Sequence, residues 1–257
     1  MKRLDAALFE LSLAPSRSKA QELIAAGDVE VLLAGRWKTI TQASYSVARA
    51  SSETIRIKPS SNILKYVSRG GLKLEGALER LAIRPVGWRA LDVGISTGGF
   101  ADCLLQWGCR EVIGVDVGHA QLAPKLAGDS RVKLFEGVNA RDLHTHKAVH
   151  AALVGGVELC VVDVSFISLQ LIFPSLAQLL PSGTQLLALV KPQFEAGPSA
   201  LGGDGVVRDP KVFKDVQTEI LHALTKYGFS TEEHGYFPSC LKGQDGNQEF
   251  FVFSRRN

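Results

Sequence analysis

No stretch of this 257-residue sequence approaches the ~18 consecutive apolar residues of a membrane span. A helical membrane protein is therefore not expected. The opening stretch, MKRLDAALFELSLAPSRSKA, starts basic but sets Asp5 and Glu10 among its apolar residues. It reads as an amphipathic helix rather than a signal peptide. Cysteine is scarce: Cys103, Cys109, Cys160 and Cys240 form no CxxC pair. Neither a metal site nor a disulfide framework is expected, and a reduced, cytoplasmic chain is. With 46% hydrophobic and 21% charged residues, the composition is that of an ordinary globular protein of one or two domains.

Charge of one sign is unevenly spread. Residues 1–84 hold 14 basic against 8 acidic side chains, whereas residues 85–257 hold 15 against 18. A basic head on a mildly acidic body points to a polyanionic partner for the head, against the simpler reading of a basic surface. Within the head, Leu4, Ala7, Leu8 and Leu11 mark one helix. SRSKAQELIAAG marks a second, capped by Ser16 or Ser18 and stopped at Gly27. VEVLLAGRWKTI predicts a hairpin turning at Ala34-Gly35, and ETIRIKP a third short strand. This order resembles the alpha-L RNA-binding module of ribosomal small-subunit protein four, the S4 domain, over residues 1–58. That resemblance makes Arg3, Arg17, Lys19 and Arg36 candidate phosphate contacts, each weighed against a merely solvated charge.

SSNILKYVSRGG lacks a period and reads as a connector over 59–70. The body, 71–257, opens on a helix burying Leu74, Leu78 and Leu81, with Arg69, Lys73, Arg80 and Arg84 as a basic stripe. Arg69 is grouped with the RNA contacts. Short apolar strands then alternate with helices: RALDVGIS, REVIGVDV, RVKLFEG, ELCVVDVSF and QLLALVK, separated by GFADCLLQWG, AQLAPKLAG, residues 140–153 and LIFPSLAQLL. Such alternation predicts a parallel α/β sheet covered on both faces. EEHGYFP and NQEFFVFSR close it as an antiparallel hairpin. A mostly parallel, seven-stranded sheet ending this way resembles the class I, Rossmann-like methyltransferase fold.

In open α/β sheets ligands sit beyond the carboxyl ends of the strands. At the first such end, LDVGISTGGF departs from the dinucleotide fingerprint G-x-G-x-x-G, because Ser96 replaces its second glycine. It matches Asp-x-Gly-x-x-x-Gly, the first motif of S-adenosylmethionine-dependent methyltransferases. The resemblance implies S-adenosyl-L-methionine as cofactor, held by Asp92, Gly94, Ser96, Thr97, Gly98, Gly99 and Phe100. Asp116, at the second strand end, would bond the ribose hydroxyls, and Asn139, at the third, would meet the adenine edge. Ile95 stands where a small residue is expected.

QLLALVK raises a separate question, since a buried strand ends by delivering an ammonium group. Asp163 arrives at the same edge. Glu249, at the start of an antiparallel closing strand, should sit beside Lys191. Lys73 can complete the set from its helix. Lys73, Asp163, Lys191 and Glu249 match in order the catalytic tetrad of ribose 2′-O-methyltransferases. With YVSRGGLKLEGAL, VVDVSFISL, LVKPQFEAG and VVRDP, they resemble the TlyA (haemolysin A-like) family, an S4 domain joined to an FtsJ-like methyltransferase. The family implies methylation of cytidine ribose in ribosomal RNA, on 16S or 23S, with ribosomal subunits as partners. Base methylation predicts an Asn/Asp-Pro-Pro-aromatic segment or a cysteine at the fourth strand, which VVDVSFIS lacks. A non-catalytic RNA-binding assembly factor and a haemolysin are the remaining alternatives. EAGPSALGGDGVVRD, rich in glycine, is either a lid or an ordinary loop.

Overall fold

Leu4, Ala7 and Leu8 recur at helical spacing, and all three are fully buried on helix α1 (Leu4–Glu10). Ser16 Oγ accepts the Lys19 N–H and so caps α2 (Arg17–Ala25); Gly27, at φ 73°, carries the chain away from its end. Strands β1 (Val29–Leu33) and β2 (Arg36–Thr39) pair antiparallel across Ala34 and Gly35. Both turn residues have positive φ, 48° and 77°. Those values are what a two-residue turn needs to follow the strand twist. Strand β3 (Ile55–Ile57) completes the sheet against β1. A further two-residue pairing, Lys2–Arg3 with Ser46–Val47, has no sequence signature.

The computed structural model describes residues 1–48, 50–243 and 245–257. It divides into two compact units, Met1–Lys65 and Tyr66–Asn257, each with its own core. Residues 59–65 of the expected connector thus fall with the first unit and residues 66–70 with the second. Among the described residues no helix is long and apolar enough to cross a membrane.

The second unit begins with α3 (Arg69–Arg80) and is built on one large sheet. Strands β4 (Arg89–Val93), β5 (Glu111–Val115), β6 (Val132–Phe135), β7 (Leu159–Val162) and β8 (Gln185–Val190) are parallel. The spatial order runs β6-β5-β4-β7-β8, then β11 (Phe250–Arg256), which is antiparallel to β8. Two short segments, β9 (Phe229–Ser230) and β10 (Tyr236–Pro238), share the outer edge of β11. The sheet thus has seven strand positions, the outermost interrupted.

Helix α4 (Gly99–Gln106) follows β4, and α5 (Phe173–Leu179) precedes β8. Helix α6 (Pro210–Lys226) has Asp209 accepting the Lys211 N–H and Pro210 in its first turn. Two expected helices are shorter than their sequences suggest. AQLAPKLAG forms only Pro124–Ala127, because Pro124 can start a helix but cannot continue one. Residues 140–153 divide into a 3₁₀ turn and the short helix Lys147–Ala152.

Alternation along the strands sorts the two faces. Leu91, Val93, Cys160, Val162, Ala188 and Val190 pack with α5 and α6. Ala90, Leu159, Val161, Leu187, Leu189 and Phe251 pack with α3 and α4. A period of two therefore puts Asp92, Asp163, Lys191 and Glu249 on the α3/α4 side, at the carboxyl ends of the parallel strands.

Candidate active site

At the end of β4 the chain turns on Gly94, at φ 84°. A Cβ there would lie 2.4 Å from the Asp163 carbonyl oxygen, so only glycine fits between the β4 and β7 ends. Gly98, at φ 91°, precedes the α4 N-terminus, whose free N–H groups favour an anion. Asp116 organises this loop: its Oδ2 accepts the Ser96 N–H at 2.8 Å and its Oδ1 the Gly118 N–H at 2.7 Å. Each oxygen keeps a second lone pair for a hydroxyl. Ser96 Oγ reaches Gln121, while Thr97 is exposed. Gly99 packs under Ser68 and Gly71, with no room for a Cβ.

Ile95 is 3% exposed, and its side chain fills the space that a Cβ on Gly114 would occupy. The larger residue in the first motif is thus matched by a glycine on the next strand. Phe100 is buried against Phe251, at 6.2 Å between ring centres, a packing role. Asn139 Oδ1 accepts the Arg141 N–H and caps a turn, leaving its amide N–H groups to any ligand.

Asp92 is fully buried, and neither carboxylate oxygen has a hydrogen-bond partner among the described residues. Burial, then the neighbouring Asp163 and Asp116, hold its carboxyl well above the usual carboxylate range. The Ala101 N–H opposes this shift without reaching hydrogen-bond geometry. A buried acid of this kind calls for a cationic partner. Beside a glycine turn and a helix N-terminus, it fits a ligand bearing both positive and carboxylate groups.

The four charged side chains form two pairs. Lys191 Nζ lies 2.7 Å from Asp163 Oδ1 and donates to Ser165 Oγ at 3.0 Å. Lys73 Nζ donates to Glu249 Oε2 at 2.5 Å, both groups nearly buried. The sequence expectation put Glu249 beside Lys191, and the register agrees: Val190 faces Phe250, so Lys191 faces Glu249. The carboxylate nevertheless turns to Lys73. Helix α3 brings that ammonium against the sheet face, where an unpaired acid would be costly.

Features the sequence did not single out complete the rim. Phe166 follows Ser165 with φ 63° and is 90% exposed; its ring lies 5.0 Å from that of Phe194. Glu195 accepts hydrogen bonds from the same loop. The signal available was an aromatic in VSFIS beside an acidic strand end. Solvent exposure of such a residue is not readable from a periodic pattern.

In the first unit, Asp5 is fully buried and gathers Arg3, Arg17 and Gln21. Both guanidinium groups remain about half exposed. Arg36 is exposed at the hairpin turn. Lys19 differs from expectation: it is 7% exposed and its ammonium pairs with Glu22 at 3.1 Å, so it is not displayed as a phosphate contact. Its position on the buried flank of α2, beside Ala20 and Leu23, explains the difference. Arg69 is half-buried and donates to the Lys242 carbonyl. Among the described residues no cluster of three or more His, Cys, Asp or Glu could hold a metal.

The family model for FtsJ-like methyltransferases matches residues 66–256, and that for the S4 domain residues 2–31. The chain is 41% identical over 251 residues to "Putative rRNA methyltransferase YqxC" of Bacillus subtilis, covering 97% of this chain and 84% of that protein. It is 39% identical over 253 residues to "16S/23S rRNA (cytidine-2'-O)-methyltransferase TlyA" of Mycobacterium tuberculosis, covering 98% and 89%. A hemolysin-named solved structure from Streptococcus thermophilus is similar at a TM-score of 0.73 and 36% identity, over 100% of this chain and 89% of that one.

Proposed function

The chain belongs to the TlyA group of FtsJ-like methyltransferases, and on that premise we propose that it methylates the 2′-oxygen of a cytidine in ribosomal RNA. S-adenosyl-L-methionine would supply a methyl group already activated on a sulfonium. The observation that carries the reading is the pairing of Lys191 with Asp163 and Lys73 with Glu249 on the sheet face and rim that also hold the unpartnered Asp92.

Methyl transfer is an in-line displacement, so the chain must align the attacking oxygen and accept the charge that develops on it. Alignment alone can contribute ~7–11 kcal/mol. Asp92 and the Gly94–Gly98 turn suit the cationic and carboxylate ends of the methionine moiety, and Asp116 suits the ribose hydroxyls. Lys191 donates to Ser165 and is paired in charge with Asp163 at 2.7 Å, which leaves ammonium N–H groups for the target oxygen. That arrangement favours Lys191 as a donor that positions the 2′-oxygen and stabilises its negative charge. Asp163 and Glu249 offer carboxylates at the same rim for the departing proton. The exposed ring of Phe166 is suited to stack on an unpaired base, as RNA-binding aromatics do. In the first unit, the arginines gathered by Asp5, with Arg36, suit phosphate contacts.

The test is incubation with methyl-labelled cofactor and purified ribosomal subunits or bare rRNA. Label is expected at one or a few cytidine 2′-oxygens, where it blocks alkaline cleavage of the next phosphodiester. Lys191→Ala should lower the rate by ~10² or more while cofactor affinity holds. Label on a base, or none on any ribosomal substrate, overturns the reading. Unchanged RNA binding with no wild-type methylation would point instead to an assembly factor.

A further inference from the structure

The loops that follow β7 and β8 are joined by more than the Lys191–Asp163 pair. Lys191 opens the short helix Pro192–Glu195, and the five residues 191–195 reach the segment Ser165–Leu169 at three places. Lys191 Nζ donates to Ser165 Oγ at 3.0 Å, and the Phe194 ring packs on Phe166. Glu195 takes the far end with both oxygens: Oε2 accepts the Ser168 hydroxyl at 2.6 Å and Oε1 the Leu169 N–H at 2.9 Å. Ser168 in turn caps the 3₁₀ turn Leu169–Leu171 by accepting the Gln170 N–H.

Between these tethers sits Phe166, a bulky residue in the left-handed region with its ring almost fully in solvent. Neither the backbone conformation nor the exposure is favourable by itself. Such a conformation persists only where its surroundings over-determine it. The Glu195 carboxylate meets no cation in these contacts, and burial pushes its carboxyl up from the usual range. Both costs fall on a residue that touches neither the glycine turn nor the lysine pairs.

We infer that Glu195 is a positioning residue for methyl transfer: its two hydrogen bonds fix the Ser165–Leu169 loop, holding Ser165 under the Lys191 ammonium and Phe166 at the rim. This rests on the functional reading above. Loss of the carboxylate frees the loop at one end while the strands and the cofactor turn stay in place.

The experiment compares Glu195→Ala and Glu195→Gln in the full chain, with kcat expressed per cofactor-binding molecule. Glu195→Ala should lower kcat by ~10–100-fold, the scale of a misplacement near 1 Å, with cofactor affinity within about threefold. Glu195→Gln keeps one acceptor for Leu169 and a donor for Ser168, and should recover most of the loss. In a Phe166→Ala background, Glu195→Ala should cost clearly less than it does in the wild-type chain, because both changes act through one loop, with the part carried by Ser165 remaining. Amide exchange at Leu169 should accelerate in the alanine variant and not in the glutamine variant. A wild-type kcat in Glu195→Ala, an equal loss in Glu195→Gln, additive losses or unchanged Leu169 exchange each overturn the inference. If the wild-type chain methylates no ribose, the functional reading fails, and Leu169 exchange alone then decides whether Glu195 fixes the loop.

Discussion

Asp92 buries both carboxylate oxygens without a hydrogen-bond partner among the described residues, beside Asp163 and Asp116, and this sets stability against binding at one position. Its folded-state pKa is raised, so between the unfolded value of ~3.9 and the folded value the native chain holds a proton that the unfolded chain has released. The stability this group contributes is present below the unfolded value and is lost as pH rises towards the folded one. Asp92→Asn should therefore raise the melting temperature at neutral pH, flatten this pH dependence and weaken cofactor affinity. Thermal melts between pH 4 and 8, paired with calorimetric cofactor titration, check all three. The strand ends that deliver Asp92, Asp163 and Lys191 were legible because an apolar run ending in a charge is rare inside a parallel sheet. Which lysine takes which acid was not. Glu249 and Lys191 do face each other by register, but the choice of Lys73 depends on the approach of α3, which no strand pattern encodes.

Elements were legible where one period or one cap decided them. The α2 cap at Ser16 and the Ala34-Gly35 turn both follow from local chemistry. The sequence presents the outermost strand as a single piece, because β9 has only two residues and no alternation. Ile95 departs from the first motif, and its compensation lies 19 positions onward in sequence and one strand away in space. That contact makes a sharp test. A Cβ on Gly114 would lie 2.3 Å from Ile95 Cδ1. Gly114→Ala should destabilise the chain by about 1–3 kcal/mol through overpacking and weaken cofactor binding through the loop. Adding Ile95→Val or Ile95→Ala should recover part of both losses, since the two sites share one contact. Urea midpoints and cofactor affinities of the single and double variants measure the coupling.

At the scale of the whole molecule, the basic first part of the sequence corresponds to a first unit in which two arginines, Arg3 and Arg17, are gathered by a buried acid. Hydrogen bonding from Arg3 holds Asp5 below the usual carboxylate range; burial opposes this, and Gln21, Arg17 and the Ala6 N–H assist it. Its folded pKa is lowered, so its contribution is complete above ~3.9 and is lost as pH falls further towards the folded value. Asp5→Asn should cost the first unit about 1–3 kcal/mol at neutral pH and remove that acid limb. It should also weaken RNA binding while leaving cofactor affinity unchanged. Urea titration of the full chain, followed on amide signals of residues 4–24, together with RNA binding, tests this. The Lys73–Glu249 bridge joins positions 176 residues apart, and β11, which follows Glu249, lies inside the sheet rather than at its margin. During synthesis from the N-terminus, Lys191 and the residues proposed to bind the donor thus emerge well before the acid that pairs with Lys73. Until β11 inserts, Lys73 lacks its partner, so a chain shortened before Glu249 should leave the proposed centre without one of its two ion pairs.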